Sequence, residues 1–262
     1  MEHISDSGYV KIDSEVELFY ERVGNPLNET LLCIPGALGT TRSNFSHQLD
    51  NLSKTFNVIA YDPRGYGRSR KTQRKFRKNY YHQDASDASE LMRKLGYTRY
   101  SVLGWSDGGV AAMILAARNK SVEKLIIWGA TAFVTQRDVE MFEASRDVTK
   151  WSSRELLEDF YGKKGLQTLW NNCCDGYIAF QQNPNGSICV EELNVINCPT
   201  LILHGILDHL IPEFHPKFLQ ERIKRSRLIT FPEGKHDIHM QYVNKFNEYV
   251  EDFIIENRRL VQ

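Results

Sequence analysis

Charge imbalance is the first thing this 262-residue chain lacks: lysine plus arginine and aspartate plus glutamate each number 33, so the formal net charge is zero. Without a global field, neither nucleic acid nor an anionic membrane is an expected partner. The densest basic run, Arg68 to Lys78, is interrupted by glutamine and phenylalanine and reads as a solvated loop. Cysteine is scarce and odd in number: Cys33, Cys173, Cys174, Cys189 and Cys198. Their spacing fits neither a zinc knuckle nor a redox pair, so no metal is expected, and reduced thiols point to an intracellular protein. No stretch reaches the ~18 apolar residues of a membrane span. Met1 to Gly8 holds neither an apolar signal core nor an Arg-rich presequence, so the expectation is a soluble, cytoplasmic protein. Internal repeats, low-complexity tracts and domain linkers are missing as well.

What is present is an alternation of short apolar runs and longer helix-like segments, the pattern of an α/β protein with a mostly parallel sheet and helices on both faces. Gly8 to Ile12 and Val16 to Val23, separated by Asp13-Ser14, read as an antiparallel hairpin. Leu31 to Pro35, Val58 to Tyr61, Ser101 to Trp105, Leu125 to Trp128, Thr200 to His204 and Leu228 to Phe231 are near-continuous apolar strands. Helices are expected over Tyr80 to Leu95, stopped by Gly96, over Val110 to Ala117, and over about His239 to Glu256. Between about Thr131 and Asn194 the strands stop. That segment is expected to form a helical lid (131–194) inserted into one core built from 1–130 and 195–262, with Trp151, Phe160, Tyr161, Trp170, Tyr177 and Phe180 as its aromatic anchors.

The sharpest motif is Gly104-Trp105-Ser106-Asp107-Gly108, which fits G-x-S-x-G and sits between an expected strand and an expected helix. Glycines on both flanks suit a strained turn that presents a serine hydroxyl at a helix N-terminus. Ser106 is the expected nucleophile. It needs a base, and the base an orienting carboxylate, in the chain order Ser, Asp, His. Asp208 follows the strand Thr200 to His204 in a loop at its C-terminal end. Past Leu228 to Phe231, two histidines compete: His236, in the loop two residues after Gly234, is preferred over His239, which starts the last helix or supports from behind. His204 reads as packing. The oxyanion needs two backbone donors: the Asp107 N–H, and Ala37 or Leu38 from the loop Gly36-Ala37-Leu38-Gly39. Asp62 to Ser69 carries glycines after a strand, but matches neither a dinucleotide nor a Walker phosphate loop.

In this order, the Pro35-Gly36 loop, Asp62 to Ser69, the elbow, His204-Gly205-x-x-Asp208 and Gly234-x-His236 resemble the α/β-hydrolase superfamily over nearly the full length. Tyr61 to Ser69, Leu103 to Gly109, Ile127 to Ala130 and Pro232 to His236 look like its biphenyl hydrolase-like branch, the valacyclovir hydrolases. That resemblance implies hydrolysis of α-amino acid esters, amino acyl ester prodrugs of nucleosides included, by an acyl-enzyme route without a cofactor. It gives the Asp107 carboxylate a second role, pairing with the substrate α-ammonium. It also puts Met141, Ala144 and Ser145 along the acyl pocket, which is more polar at Ser145 than an apolar pocket would be. A mitochondrial address, where the family has one, rests on a leader. The expected partner is a small-molecule ester bound to a monomer. Other serine enzymes of the fold, namely C–C hydrolases, proline iminopeptidases and perhydrolases, compete with this reading, as does a non-catalytic ligand-binding module. Haloalkane dehalogenases and epoxide hydrolases would carry Asp where this chain has Ser106.

Overall fold

The computed structural model describes residues 4–151 and 154–256. Its eight strands are β1 (Ile4–Lys11), β2 (Glu17–Gly24), β3 (Thr30–Ile34), β4 (Asn57–Tyr61), β5 (Tyr100–Trp105), β6 (Val122–Trp128), β7 (Thr200–Gly205) and β8 (Ser226–Phe231). They form one sheet in the order β1-β2-β4-β3-β5-β6-β7-β8. β1 and β2 pair antiparallel, β2 meets β4 antiparallel, and every later pairing is parallel. The hairpin turn is held by the Asp13 carboxylate, which accepts from the Glu15 and Val16 amides at 2.8 Å each. β1 begins at Ile4 rather than Gly8, because backbone pairing with β2 carries the polar Ser5, Asp6 and Ser7 into the ladder. Hydropathy is silent about such an edge.

The central strands are buried on both faces, and their side chains alternate between two cores. Leu31, Cys33, Val58 and Ala60 point to one; Leu32, Ile34, Ile59 and Tyr61 point to the other. The first core is closed by α1 (Thr41–Leu52), α8 (Ile238–Gln241) and α9 (Val243–Ile255) through Phe45, Leu49, Ile238, Phe246 and Val250. The second is closed by α2 (Tyr80–Lys94), α3 (Asp107–Arg118) and α7 (Phe214–Arg222). The last helix expected from the sequence is two helices. Tyr242 leaves helical geometry (φ −122°, ψ 47°), and its ring packs 5.3 Å from that of Phe231.

Between β6 and β7 lie α4 (Gln136–Ala144), α5 (Arg154–Ile178) and α6 (Val190–Leu193). Thr135 and Asp138 form a capping box at the start of α4. The aromatic residues of this segment pack largely on each other: Phe142 stacks on Tyr177 with centroids 4.0 Å apart, and Trp151 meets Trp170 edge-on at 4.8 Å. The segment is tied to the core by a fully buried pair, Asp138 on α4 and His215 on α7, at 2.9 Å. Phe180 reaches across to Tyr80 and Tyr81 of α2, 5.7 Å away. α5 is bent at Gly162, whose φ is +66°. No helix among the described residues is long and apolar enough to cross a membrane.

The apolar helix α3 runs directly beneath the loop after β3. A Cβ on Gly108 would sit 2.0 Å from the Ile34 carbonyl oxygen and 2.4 Å from that of Pro35. Backbone cannot yield as a flexible side chain does, so Gly108→Ala is expected to destabilise the protein by about 3 kcal/mol. Urea unfolding measures this, and a midpoint unchanged from the parent would contradict it.

Candidate active site

Ser106 stands between β5 and α3 with φ +55° and ψ −122°, a region that L-residues rarely enter. Its amide donates to the Trp128 carbonyl at 3.0 Å, and its own carbonyl accepts from Gly109 and Val110 in the first turn of α3. These three bonds hold the turn in place, and Ser106 is left half-buried at the C-terminal end of the sheet. The strand β5 supplies one anchor and the helix α3 the other, which is how a local strain of about 1–2 kcal/mol can persist.

Asp208 lies in the loop after β7 and His236 in the loop after β8. The His236 Nδ1 and Asp208 Oδ2 are 2.8 Å apart, with both side chains almost fully buried. The second Asp208 oxygen accepts from the Leu210 amide at 2.8 Å and the Ile211 amide at 3.0 Å. Burial favours the neutral acid, but the His236 charge and these hydrogen bonds outweigh it and lower the Asp208 pKa. Burial likewise favours neutral imidazole at His236, yet the facing Asp208 prevails and raises its pKa above the ordinary histidine value. Space for the ring comes from Gly129, at φ +57°, where a Cβ would meet His236 Cε1 at 2.8 Å. Trp105 ties the histidine loop to the elbow by donating its indole N–H to the His236 carbonyl at 3.0 Å.

His239 is a second layer, as its position suggested. It accepts from the Trp128 indole at 3.0 Å, and its Nε2 donates to the Asn44 carbonyl at 3.0 Å. Burial is the leading cause that takes its pKa down to about 3. His204 is buried in β7, as packing requires.

The loop after β3 lies against Ser106: a Cβ on Gly36 would be 3.2 Å from the Ser106 Cβ. The Gly36 amide donates to the Asn44 side chain, and Gly39 turns back onto the Gly36 carbonyl, each at 3.1 Å. Leu38 between them has φ +62° and a fully buried side chain. The Asp62-to-Ser69 segment is a self-bonded turn. Asp62 accepts from the Thr41 amide at 2.7 Å and the Arg68 amide at 2.8 Å, and the Ser69 hydroxyl donates to the Asp62 carbonyl at 2.7 Å.

Asp107, a half-buried residue, opens α3 next to Ser106. One carboxylate oxygen accepts from the Tyr81 hydroxyl at 2.7 Å, and the Cys173 thiol lies 3.9 Å from the other. Desolvation raises its pKa to about 6, against the opposing pull of the Tyr81 bond and the Arg74 charge. Arg74 is itself buried and doubly bonded to Asp84, at 2.5 Å and 2.6 Å, so its charge is already matched. A small cavity of about 10 Å³, the space of one water, separates Arg74 and Asp84 from Asp107. Sequence reading missed Tyr81 and Asp84, which approach Asp107 through the packing of α2 on α3, and Arg74, which lies in the basic run expected to be solvated but is buried against Asp84. The residues expected along an acyl pocket share the C-terminal end of α4 but differ in exposure: Met141 is half-buried, Ala144 is exposed, and the Ser145 hydroxyl donates to the Phe142 carbonyl of its own helix at 2.7 Å. No hydrogen bond or ion pair among the described residues joins these three to Ser106 or Asp107.

The sequence is 44% identical to a serine hydrolase BPHL of Mus musculus over 243 residues, spanning 91% of this chain and 83% of that protein. The chain belongs to the α/β-hydrolase family. The human serine hydrolase BPHL is 43% identical over the same shares, and a sequence-family model of the alpha/beta hydrolase fold matches residues 29–150. In three dimensions, the 2-hydroxy-6-oxo-6-phenylhexa-2,4-dienoate hydrolase of Rhodococcus sp. strain RHA1 superposes with a TM-score of 0.81. It covers 97% of this chain and 99% of its own at 14% identity, a likeness of fold. This family member is therefore a hydrolase with serine at the elbow.

Removal of the carboxylate in Asp208→Asn takes away the main group that opposes desolvation of His236, leaving only the charges of Asp237 and Asp107 against it. The imidazole pKa is then expected to fall below the ordinary histidine value, read by NMR titration of the ring carbons; a pKa that stays raised would show that Asp208 is not its cause.

Proposed function

We propose that this hydrolase cleaves carboxylic esters of α-amino acids through an acyl-enzyme on Ser106. The observation that carries the substrate class is the Asp107 carboxylate: it is half-buried beside the nucleophile and only one of its oxygens receives a strong hydrogen bond. Arg74 is matched by Asp84, so the site keeps one negative charge that a cationic substrate would complete. The relatives named serine hydrolase support the reaction type, and the resemblance to the valacyclovir hydrolase branch supports the amino ester class.

In this reading, His236 takes the Ser106 proton as the hydroxyl oxygen attacks the ester carbonyl carbon. The oxyanion is held by the Asp107 N–H and by the Ala37 or Leu38 N–H. His236 returns the proton to the leaving alcohol as the C–O bond breaks. It next accepts a proton from water that attacks the acyl carbon, then restores it to Ser106 as the free amino acid leaves. Asp208 holds the His236 tautomer and stabilises its cation. The segment 131–194 acts as the lid, and Met141, Ala144 and Ser145 are assigned to the side-chain pocket on the family resemblance alone.

Two tests follow from the roles of Ser106 and Asp107. Ser106→Ala should abolish turnover of a valyl ester while leaving the circular dichroism spectrum unchanged; turnover that persists would remove Ser106 from the chemistry. The second test compares kcat/KM for the valyl ester with that for its des-amino counterpart, a ratio in which His236 titration cancels. Asp107 is ionised above its pKa of about 6, so the ratio should fall as pH drops through that value. Asp107→Asn should lower it about 100-fold at neutral pH. A ratio indifferent to pH and to the substitution would keep the esterase and discard the amino ester class.

A further inference from the structure

Tyr161 of α5 makes two hydrogen bonds that packing does not demand. Its hydroxyl donates to the Leu38 carbonyl at 2.9 Å and accepts from the Gly67 amide at 2.8 Å. Burial pushes the phenol pKa up, so the hydroxyl retains the proton it donates. The residue immediately precedes Gly162, where positive φ bends α5. Leu38 at φ +62° is in a conformation that leucine does not favour, within the loop that lies against Ser106. The peptide unit joining Leu38 to Gly39 is pinned at both ends: Tyr161 holds its oxygen, and Gly36 accepts from its N–H at 3.1 Å. With that plane fixed, the Leu38 torsions, the strained φ among them, set where the Leu38 N–H points and the plane from which the chain runs back to Ala37. Neither the Ala37 nor the Leu38 N–H donates to another protein group among the described residues.

We propose that Tyr161 is a positioning residue that clamps the 36–39 loop in its oxyanion-binding form, so that the helical segment between β6 and β7 completes the catalytic site as well as covering it. This rests on the acyl-transfer reading above. With the clamp removed, Leu38 is free to relax toward negative φ, carrying the donors away from the Ser106 adduct, while Asp107 and the acyl pocket are untouched. The predicted loss is therefore in the transition state and not in substrate capture.

The test is Tyr161→Phe in the full chain, which keeps the ring and deletes both bonds. Sites are counted by the endpoint of fluorophosphonate labelling, so that misfolded protein does not enter kcat. For a valyl ester, kcat per titrated site should fall at least 10-fold with KM within about twofold, since a lost oxyanion donor costs 10²–10³ in kcat. Affinity for a trifluoromethyl ketone carrying the same acyl group, whose serine adduct bears the oxyanion, should fall in parallel with kcat/KM. An unchanged kcat overturns the inference, as does a kcat loss without a matching loss of ketone affinity. If the parent itself shows no Ser106-dependent cleavage, the acyl-transfer reading fails, and the clamp with it.

Discussion

The chain reverses direction at Ser106 within a single residue, and the rest of the site is arranged around that reversal. A residue at φ +55° can be kept there only if both sides are rigid. On one side, β5 lies between two parallel neighbours. On the other, α3 packs so tightly under β3 that its first turn excludes a Cβ. The same closeness brings the loop after β3 against the serine and sets Asp107 at the head of the helix. Ser106, the loop after β3 and the Asp107 carboxylate are thus brought together by the same close packing of α3.

Three buried or half-buried aspartates show how surroundings divide one side chain among different tasks. Asp62 is saturated by the amides of Thr41 and Arg68 together with the Arg68 guanidinium, four donors in all, and serves as a structural knot. Asp208 has two amides and an imidazole, which keep it ionised despite burial. Asp107 has one strong donor and a matched arginine behind it, and desolvation takes its pKa upward. The count of donors around each carboxylate separates a knot, an orienting group and a group with bonding capacity left over.

Much of this was legible in the sequence, because backbone demands leave residue-type traces. The elbow needs glycines, parallel strands need apolar runs, and the loops bearing Asp208 and His236 follow such runs. His239 was read as starting the last helix, and it lies in α8, three residues past His236 in the loop after β8. What escaped were relations between elements. Tyr81 and Tyr161 look like ordinary core or lid aromatics, since a hydroxyl's partner is fixed by how α2 and α5 dock. The break at Tyr242 escaped for a related reason: an amphipathic pattern runs through it, and only the packing against Phe231 interrupts the helix. The polar start of β1 shows the limit of hydropathy at a sheet edge. The site residues drawn from family resemblance, Met141, Ala144 and Ser145, have no such local demand behind them.

Two imidazoles, those of His236 and His239, flank the indole of Trp105, with ring centroids 5.4 Å and 4.6 Å from it. Only one of them is open to protons in the working range. His239 has both nitrogens engaged and stays neutral down to about pH 3. A second cation so near would disfavour a positive charge on His236. By keeping His239 uncharged, the fold leaves the balance at His236 to burial and to its carboxylate neighbours, Asp208 foremost, with no opposing charge from the second imidazole.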